Sequence, residues 1–219
     1  MEQSHYFNQD VIDPKYFFRI NGFVDKTSFS LTSAKGLFSA EYFDLGTRIL
    51  LKYFSFGPNN KSVRLLDLGC GYGLVSSYLA YQYTRGILGG VDLFHIDACD
   101  SSPLAVQVTE HNMSSYSHSG LSYHIQNSDI LSDPYFSDKS YDSIITNPPF
   151  SAGKKVVKEF LKQAYDHLAP HGLLWIVIPT KKGAKSYGER CRQEFGPSSM
   201  VIQALEAGYR VWTIEKLGS

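Results

Sequence analysis

Residues 65–73 read LLDLGCGYG and decide the fold of this 219-residue chain. An apolar run ends in an aspartate, and glycines then occupy every second position. Glycine adopts backbone conformations that other residues avoid, so the spacing predicts a tight turn between a buried strand and a helix. Backbone N–H groups at such a helix N-terminus are available to a ligand. A tight connection that binds nothing is the alternative interpretation of this stretch alone.

The glycine spacing argues against a nicotinamide cofactor. A dinucleotide-binding loop would read G-x-G-x-x-G, and Ser76 stands where the third glycine would be. Asp67 would repel a pyrophosphate, whereas it would suit a ligand with a cationic amino-acid end. The stretch therefore favours a cationic ligand over a dinucleotide.

Outward from this turn, short apolar runs alternate with helix-like segments. Strands are predicted at Val63–Leu68, Val91–Ala98, Leu121–Gln126, Tyr141–Thr146 and Leu173–Ile178. Helices are predicted at Leu74–Tyr83, Pro103–Met113, Lys154–Leu168 and Ala184–Phe195. Two closing strands, Met200–Leu205 and Tyr209–Lys216, are joined by a short turn. The pattern predicts an α/β fold: a mostly parallel sheet, helices on both faces and an antiparallel C-terminal edge.

The first 60 residues follow a different pattern. Tyr16–Asn21 and Thr27–Thr32 flank a turn predicted at residues 21–25, and Ala40–Phe54 is predicted to be a helix. So short a segment rarely folds alone. We therefore predict that residues 1–60 form an extension packed on the main unit, residues 61–219.

Composition narrows the classes of protein. Lys plus Arg and Asp plus Glu both number 21, so a general nucleic-acid coat is disfavoured and any such contact needs a local basic patch. No apolar run reaches the roughly 18–20 residues that span a bilayer, and no signal peptide is evident, so a cytoplasmic protein is expected. The three cysteines, Cys70, Cys99 and Cys191, show neither metal-ligand nor disulfide spacing, and no metal is expected.

Acidic residues follow three successive predicted strands. Asp67, Asp100 and Asp129 should meet at the carboxyl edge of the sheet, where open α/β sheets bind ligands. Asp100 could accept both ribose hydroxyls, with Asp97 as a rival, and Asp129 could accept an adenine amino group. Each acid alone could be a turn residue, but together they fit one adenosyl ligand.

Asn147-Pro148-Pro149-Phe150 ends the fourth predicted strand. Two prolines stiffen this loop, so the Asn147 side-chain oxygen and the Pro148 carbonyl could be preset acceptors for the hydrogens of an exocyclic amine. Phe150 could stack on a base taken out of its helix. The alternative is a strand cap followed by a core phenylalanine.

The glycine loop, Asp67-x-Gly69-x-Gly71-x-Gly73, resembles the first motif of class I S-adenosylmethionine-dependent methyltransferases, which are Rossmann-like. The N-P-P-F tetrapeptide resembles that of N-methyltransferases. Leu31–Leu51 resembles the RsmC-like family of small-subunit rRNA guanine-N2 methyltransferases, at Gly36, Phe38, Ser39, Asp44, Gly46 and Thr47. The resemblance spans about Ser30 to Lys216 and is closest to the short, single-domain members.

This resemblance implies S-adenosylmethionine as cofactor, S-adenosylhomocysteine as product, and guanine N2 of small-subunit (16S) rRNA as target. The alternatives are tRNA adenine N6, protein glutamine, or a non-catalytic adenosyl- and RNA-binding assembly factor. The oligomeric state, monomer or weak dimer, stays open.

Several residues could lie on the substrate side. The resemblance implies that Phe38, Ser39 and Thr47 form a wall beside the opening, although Phe38 could instead be a hydrophobic staple. Lysines that could contact RNA phosphates follow the fourth and fifth strands: Lys154, Lys155, Lys158, Lys162, Lys181, Lys182 and Lys185. A merely solvated face is the alternative for these lysines.

Overall fold

The structure is a computed structural model that describes residues 13–57, 61–182, 184–196 and 200–218. The strands are β1 Phe17–Val24, β2 Thr27–Ala34, β3 Ser62–Leu68, β4 Leu93–Asp100, β5 Leu121–Asn127, β6 Tyr141–Thr146, β7 Leu168–Pro179, β8 Met200–Glu206 and β9 Tyr209–Glu215. The helices are α1 Leu45–Tyr53, α2 Leu74–Thr84, α3 Pro103–Met113, α4 Lys154–Asp166 and α5 Ala184–Phe195. Within the described ranges, no helix is both long and apolar enough to cross a membrane.

Seven strands form the central sheet, in the order β5-β4-β3-β6-β7-β9-β8. Strands β3 to β7 are parallel, and β8 and β9 pair antiparallel at one end. The chain order reverses between β3 and β6, which is where open α/β sheets bind ligands. The glycine loop follows β3 and the N-P-P-F loop follows β6, so both lie at this reversal. The predicted sheet is confirmed.

Hydrophobic layers cover both faces of the sheet. Leu65 and Leu66, adjacent in β3 and both fully buried, belong to opposite layers because strand side chains alternate. Helices α1, α2 and α3 pack on the Leu65 side, and α4 and α5 pack on the Leu66 side. Helices on both faces are therefore confirmed.

The helix predicted from Ala40 begins later, at Leu45. Asp44 has the non-helical angles φ −55° and ψ 130°, and its Oδ2 accepts a hydrogen bond from the backbone N–H of Thr47 at 2.7 Å. This is an N-cap, which satisfies one of the free N–H groups of the first turn. Residues 35–44 consequently form a loop that leads into α1.

The hairpin is longer than predicted, and its turn is at residues 25–26, because Val24 pairs with Thr27. Gly22, predicted in the turn, lies inside β1. A Cβ at this position would lie 2.6 Å from the ring of Phe43, so glycine is needed there for the aromatic side chain to pack. Its role is therefore close packing rather than chain reversal.

Asn112 of α3 ties the hairpin to the core. Its buried side chain accepts a hydrogen bond from Thr32 N–H at 2.9 Å, and donates to the carbonyls of Thr32 at 2.9 Å and Tyr72 at 2.8 Å. One amide thus joins β2 to the glycine loop. The domain boundary predicted at residue 60 falls at residues 58–60, outside the described part of the chain.

Candidate active site

A cleft that is open to solvent lies at the carboxyl edge of the sheet between β3 and β6. The glycine loop lines it, together with Phe38, Asp44 and Thr47 of the N-terminal segment and Asn147 of the N-P-P-F loop. The N-terminal segment, the glycine loop and the N-P-P-F loop therefore meet around one space.

The glycine loop adopts a backbone that requires glycine. Gly69, Gly71 and Gly73 have φ values of 77°, 57° and 78°, in the left-handed region that other residues seldom adopt. A Cβ on Gly73 would also lie 2.9 Å from Thr109 Cγ2, whereas one on Gly71 would meet nothing within 4 Å. Gly71 therefore leaves open space above the loop, as close approach of a ligand requires.

Asp67 is buried at the end of β3 and lines the cleft. Its Oδ2 accepts hydrogen bonds from the backbone N–H of Ser76 at 3.1 Å and from the Ser76 hydroxyl at 2.6 Å. Burial raises the pKa of Asp67 to about 6, although the bonds from Ser76 act in the opposite direction. Among the described residues, its Oδ1 has no hydrogen-bond partner and is free for a ligand.

Asp100 ends β4 and braces the glycine loop. Its carboxylate accepts hydrogen bonds from the N–H groups of Gly71 at 3.0 Å and Ser102 at 2.9 Å. Burial raises the pKa of Asp100. A carboxylate oxygen can accept more than one hydrogen bond, so both oxygens of Asp100 can still accept one from a ligand hydroxyl.

The rival acid, Asp97, contacts residues of the hydrophobic layer on the Leu66 side of the sheet. It is fully buried and accepts hydrogen bonds from the hydroxyls of Tyr135 at 2.7 Å and Tyr141 at 2.8 Å, with His95 Nε2 at 3.1 Å. Its oxygens are therefore committed away from the cleft. Asp129 is exposed just after β5, and its side chain makes no hydrogen bond with the described residues.

The side-chain amide of Asn147 has a defined orientation. Its Nδ2 donates hydrogen bonds to Asp44 Oδ2 at 2.9 Å and to Thr47 Oγ1 at 3.1 Å. Its Oδ1 has no partner among the described residues. The carbonyl end of the amide is consequently free to accept a hydrogen bond in the cleft.

The prolines hold the loop in a tight turn. Phe150 N–H donates to the Pro148 carbonyl at 2.8 Å, across Pro149 at φ −75° and ψ 75°, which is an inverse γ-turn. The Pro148 carbonyl therefore already accepts one hydrogen bond and retains one lone pair. Phe150 is half-buried, and its ring meets that of Tyr187 edge-on at 5.5 Å.

The residues expected to form a wall differ in their surroundings. Phe38 is 70% exposed and lines the cleft, so the staple interpretation is wrong. Ser39 has φ 51°, and its hydroxyl donates to the Tyr42 carbonyl at 2.8 Å, within its own loop. Thr47 lies in the cleft and contacts Asn147. Two of the three therefore line the opening.

Four of the predicted lysines lie near this edge. Lys154 and Lys155 begin α4, directly after the N-P-P-F loop, and Lys181 and Lys182 follow β7. All four are exposed and make no ion pair with the described residues. Lys162 instead pairs with Asp166 at 2.6 Å, and the side chain of Lys185 lies outside the described part.

The comparisons with known proteins agree with this geometry. Residues 28–213 match the family model of the methyltransferase small domain. The chain belongs to the methyltransferase small domain family. The predicted resemblance to class I methyltransferases is thereby confirmed.

Relatives of this methyltransferase small domain protein include an uncharacterized protein, YbxB of Bacillus subtilis, 32% identical over 86% of this chain and 87% of that protein. Ribosomal RNA small subunit methyltransferase C of Vibrio parahaemolyticus is 30% identical over 80% of this chain and 49% of its own length. The chain thus spans about half the length of the curated rRNA methyltransferases that it matches.

Solved structures share the fold. A Thermus thermophilus 16S rRNA N2 G1207 methyltransferase (RsmC), in complex with AdoMet and guanosine, superposes with a TM-score of 0.73 at 22% identity, over 92% of this chain and 51% of that one. A Pyrococcus furiosus methyltransferase superposes with a TM-score of 0.55 at 16% identity, over 80% and 83%. At these identities the likeness concerns the fold.

Sequence reasoning missed the partners that hold the site of this methyltransferase small domain together. The sequence places Asp44 in a family motif but does not indicate its bond to Asn147. It shows Ser76 at the third position of the dinucleotide-binding pattern but does not indicate its bonds to Asp67. The spacing Asp44-x-x-Thr47, typical of a helix N-cap, could have located the first. Across the described residues, no three His, Cys, Asp or Glu side chains are arranged to hold a metal ion.

Proposed function

We propose that this protein is a cytoplasmic S-adenosylmethionine-dependent methyltransferase that modifies an exocyclic amine of a base in RNA, namely guanine N2 in small-subunit rRNA. The observation that carries the proposal is the side-chain carbonyl oxygen of Asn147, which has no hydrogen-bond partner among the described residues. Asn147 lines the same cleft as the glycine loop, where Gly71 leaves room for a ligand.

The residues at the cleft fit the cofactor. The glycine backbone leaves open space, and the Asp67 Oδ1, which has no partner among the described residues, would bind a cationic amino-acid end. Asp100 and Asp129 would accept hydrogen bonds from the ribose hydroxyls and the adenine amino group. S-adenosylmethionine would supply an electrophilic methyl group, with S-adenosylhomocysteine as product and no metal required. The residues proposed to hold it are Asp67, Gly69, Gly71, Gly73, Asp100, Asp129 and Asn147.

The N-P-P-F loop would prepare the amine. An exocyclic nitrogen is a weak nucleophile because its lone pair is delocalised into the ring. Asn147 Oδ1 and the remaining lone pair of the Pro148 carbonyl would accept its two hydrogens, which directs the lone pair toward the methyl group. Fixed acceptors of this kind lower the barrier because their geometry is set before reaction. Phe150 and Phe38 would contact the faces of the base.

The choice of RNA rests on the relatives and on charge. Curated relatives are named ribosomal RNA small subunit methyltransferase C, and one solved neighbour is titled as an enzyme of 16S rRNA. Lys154, Lys155, Lys181 and Lys182 supply a local positive patch at the carboxyl edge of the sheet, in a chain whose formal net charge is zero. Phosphate contacts from such a patch position an RNA without reading its sequence.

The reaction is tested with labelled S-adenosylmethionine and, in parallel reactions, small ribosomal subunits, tRNA and total protein from a strain that lacks this gene. Purified protein should introduce label, and mass spectrometry of the nucleosides should identify it as N2-methylguanosine. The matched control is Asn147→Ala protein. Label in tRNA adenine or in protein glutamine would overturn the proposed target, and RNA binding without any label would instead favour a non-catalytic assembly factor.

Cofactor binding should depend on pH through Asp67. Its carboxyl, with a pKa of about 6, must be ionised to attract a cation. We expect constant affinity for S-adenosylmethionine above about pH 7, and a loss approaching tenfold per unit below about pH 6. The affinity should fall because only the ionised carboxylate attracts the cationic end of the cofactor. Calorimetric titrations from about pH 5 to 8 measure the affinity at each pH. Asp67→Asn should bind more weakly and without this slope; an identical slope in the variant would contradict the assignment.

A further inference from the structure

We infer that Asp44 is a positioning residue that fixes the side-chain amide of Asn147 with its carbonyl oxygen toward the cleft. The inference rests on the proposed function, because it concerns how that acceptor oxygen is presented. Asp44 belongs to the loop before α1, whereas Asn147 follows β6, 103 residues later. The contact therefore joins the N-terminal extension to the proposed catalytic loop.

The hydrogen-bond network permits only one orientation of the amide. Thr47 donates its hydroxyl hydrogen to Asp44 Oδ2 at 3.0 Å, so its Oγ1 can only accept from Asn147. A carboxylate also only accepts. Both neighbours of the Asn147 Nδ2 are thus acceptors, and a rotated amide would place its oxygen against two oxygens. The arrangement selects the NH₂ group on this side and the carbonyl oxygen on the other.

Asp44 serves two purposes with the same oxygen. Its Oδ2 accepts from the Thr47 N–H at 2.7 Å, which caps α1, and from Asn147 Nδ2 at 2.9 Å. The cap holds the carboxylate in place, because its position is set by the first turn of the helix. The first turn of α1 therefore fixes Asp44, and Asp44 in turn fixes the orientation of the Asn147 side chain.

A serine at position 44 would separate the capping of α1 from the hydrogen bond to Asn147. Asp44→Ser retains a favoured N-cap, so the helix should keep its stability. Its shorter side chain cannot contact Asn147. Asp44→Asn retains both functions, because its carbonyl oxygen can occupy the place of Oδ2. The matched control is Asp133→Ser, which makes the same change at the cap of the 3₁₀ turn Pro134–Phe136, away from the cleft.

The first readout is kinetic. Asp44→Ser should lower kcat for methyl transfer about 10- to 100-fold, since small errors in the placement of a reacting group have effects of this size. KM for RNA and Kd for the cofactor should change less than about threefold, because the acceptor oxygen acts on the reacting amine rather than in ground-state binding. Asp44→Asn should restore kcat to within about threefold of wild type, and Asp133→Ser should leave it unchanged.

The second readout is independent of the reaction. In ¹⁵N-labelled protein, the side-chain amide resonance of Asn147, assigned by its absence in Asn147→Ala, should exchange slowly with solvent. In Asp44→Ser this protection should be lost, and in Asp44→Asn it should persist. Unchanged protection in Asp44→Ser, or lost protection with an unchanged kcat, would overturn the inference. If the wild-type protein transfers no methyl group to subunits, the proposed function fails, and the amide resonance alone decides whether Asp44 fixes Asn147.

Discussion

Asn147→Ala is expected to lower methyl transfer about a thousandfold, while the affinity for S-adenosylmethionine stays within about tenfold of wild type. The variant removes the side-chain oxygen that would accept one hydrogen of the amine. The Pro148 carbonyl cannot replace it, because Phe150 N–H occupies one of its lone pairs and the second hydrogen of the amine would occupy the other. The glycine loop and Asp67 are not altered. Single-turnover transfer of labelled methyl groups measures the first quantity, and calorimetry measures the second.

The control for this variant is Asn21→Ala, an equivalent truncation at an exposed position of β1. It should leave both transfer and cofactor affinity unchanged. Equal transfer by Asn147→Ala and wild type would remove the acceptor role and favour a protein that binds the cofactor without catalysis. A parallel loss of transfer and cofactor binding would instead place Asn147 chiefly in the cofactor site.

Asn112→Ala is expected to lower the free energy of unfolding by about 3–5 kcal/mol. The truncation leaves the N–H and carbonyl of Thr32 and the carbonyl of Tyr72 without their partner. Each unpaired buried group costs about 1–3 kcal/mol, and the side chain also leaves a cavity. Urea denaturation followed by tryptophan fluorescence measures the loss.

Glu110→Ala, an exposed change in the same helix, is the control and should stay within about 0.5 kcal/mol of wild type. The hairpin should also lose protection from hydrogen exchange in Asn112→Ala before the sheet does, because its tie to α3 is cut. A loss below about 1 kcal/mol would show that the groups of Thr32 and Tyr72 find other partners.

The sequence predicted elements best where local chemistry marks both ends. Helix α3 begins at Pro103 and ends at Met113 as predicted, because Ser102 caps it and proline fits a first turn. The bounds of β6 also agree, because the prolines end it. Elsewhere the bounds shifted: α4 ends at Asp166 and β4 begins at Leu93. In each case an apolar residue, Leu168 or Val91, stands two positions beyond the end of the element, so the sequence pattern does not mark the limit.

In the candidate site, too, the sequence predicts the features that local residues determine and misses those that depend on distant residues. The glycine loop, the acids after strands and the N-P-P-F loop were predicted because each is contained in one short stretch. The bonds from Asn147 to Asp44 and from Asn112 to Thr32 were not, because each joins residues far apart along the chain. Ser39 shows the remaining difficulty: its position in a motif does not reveal that its hydroxyl binds its own loop.

The packing of α1 bears on the order in which parts of the chain can fold during synthesis. This helix, which carries the Asp44 cap, packs against β7 and β9, and Lys52 and Tyr53 at its end bind Glu206 of β8. A nascent chain can therefore complete β3, the glycine loop and β6 before the strands that seat α1 have left the ribosome. The glycine loop can therefore fold before α1 makes its contacts with β7, β8 and β9, and the helix that supports the Asp44–Asn147 bond gains its last packing partners at the end of synthesis.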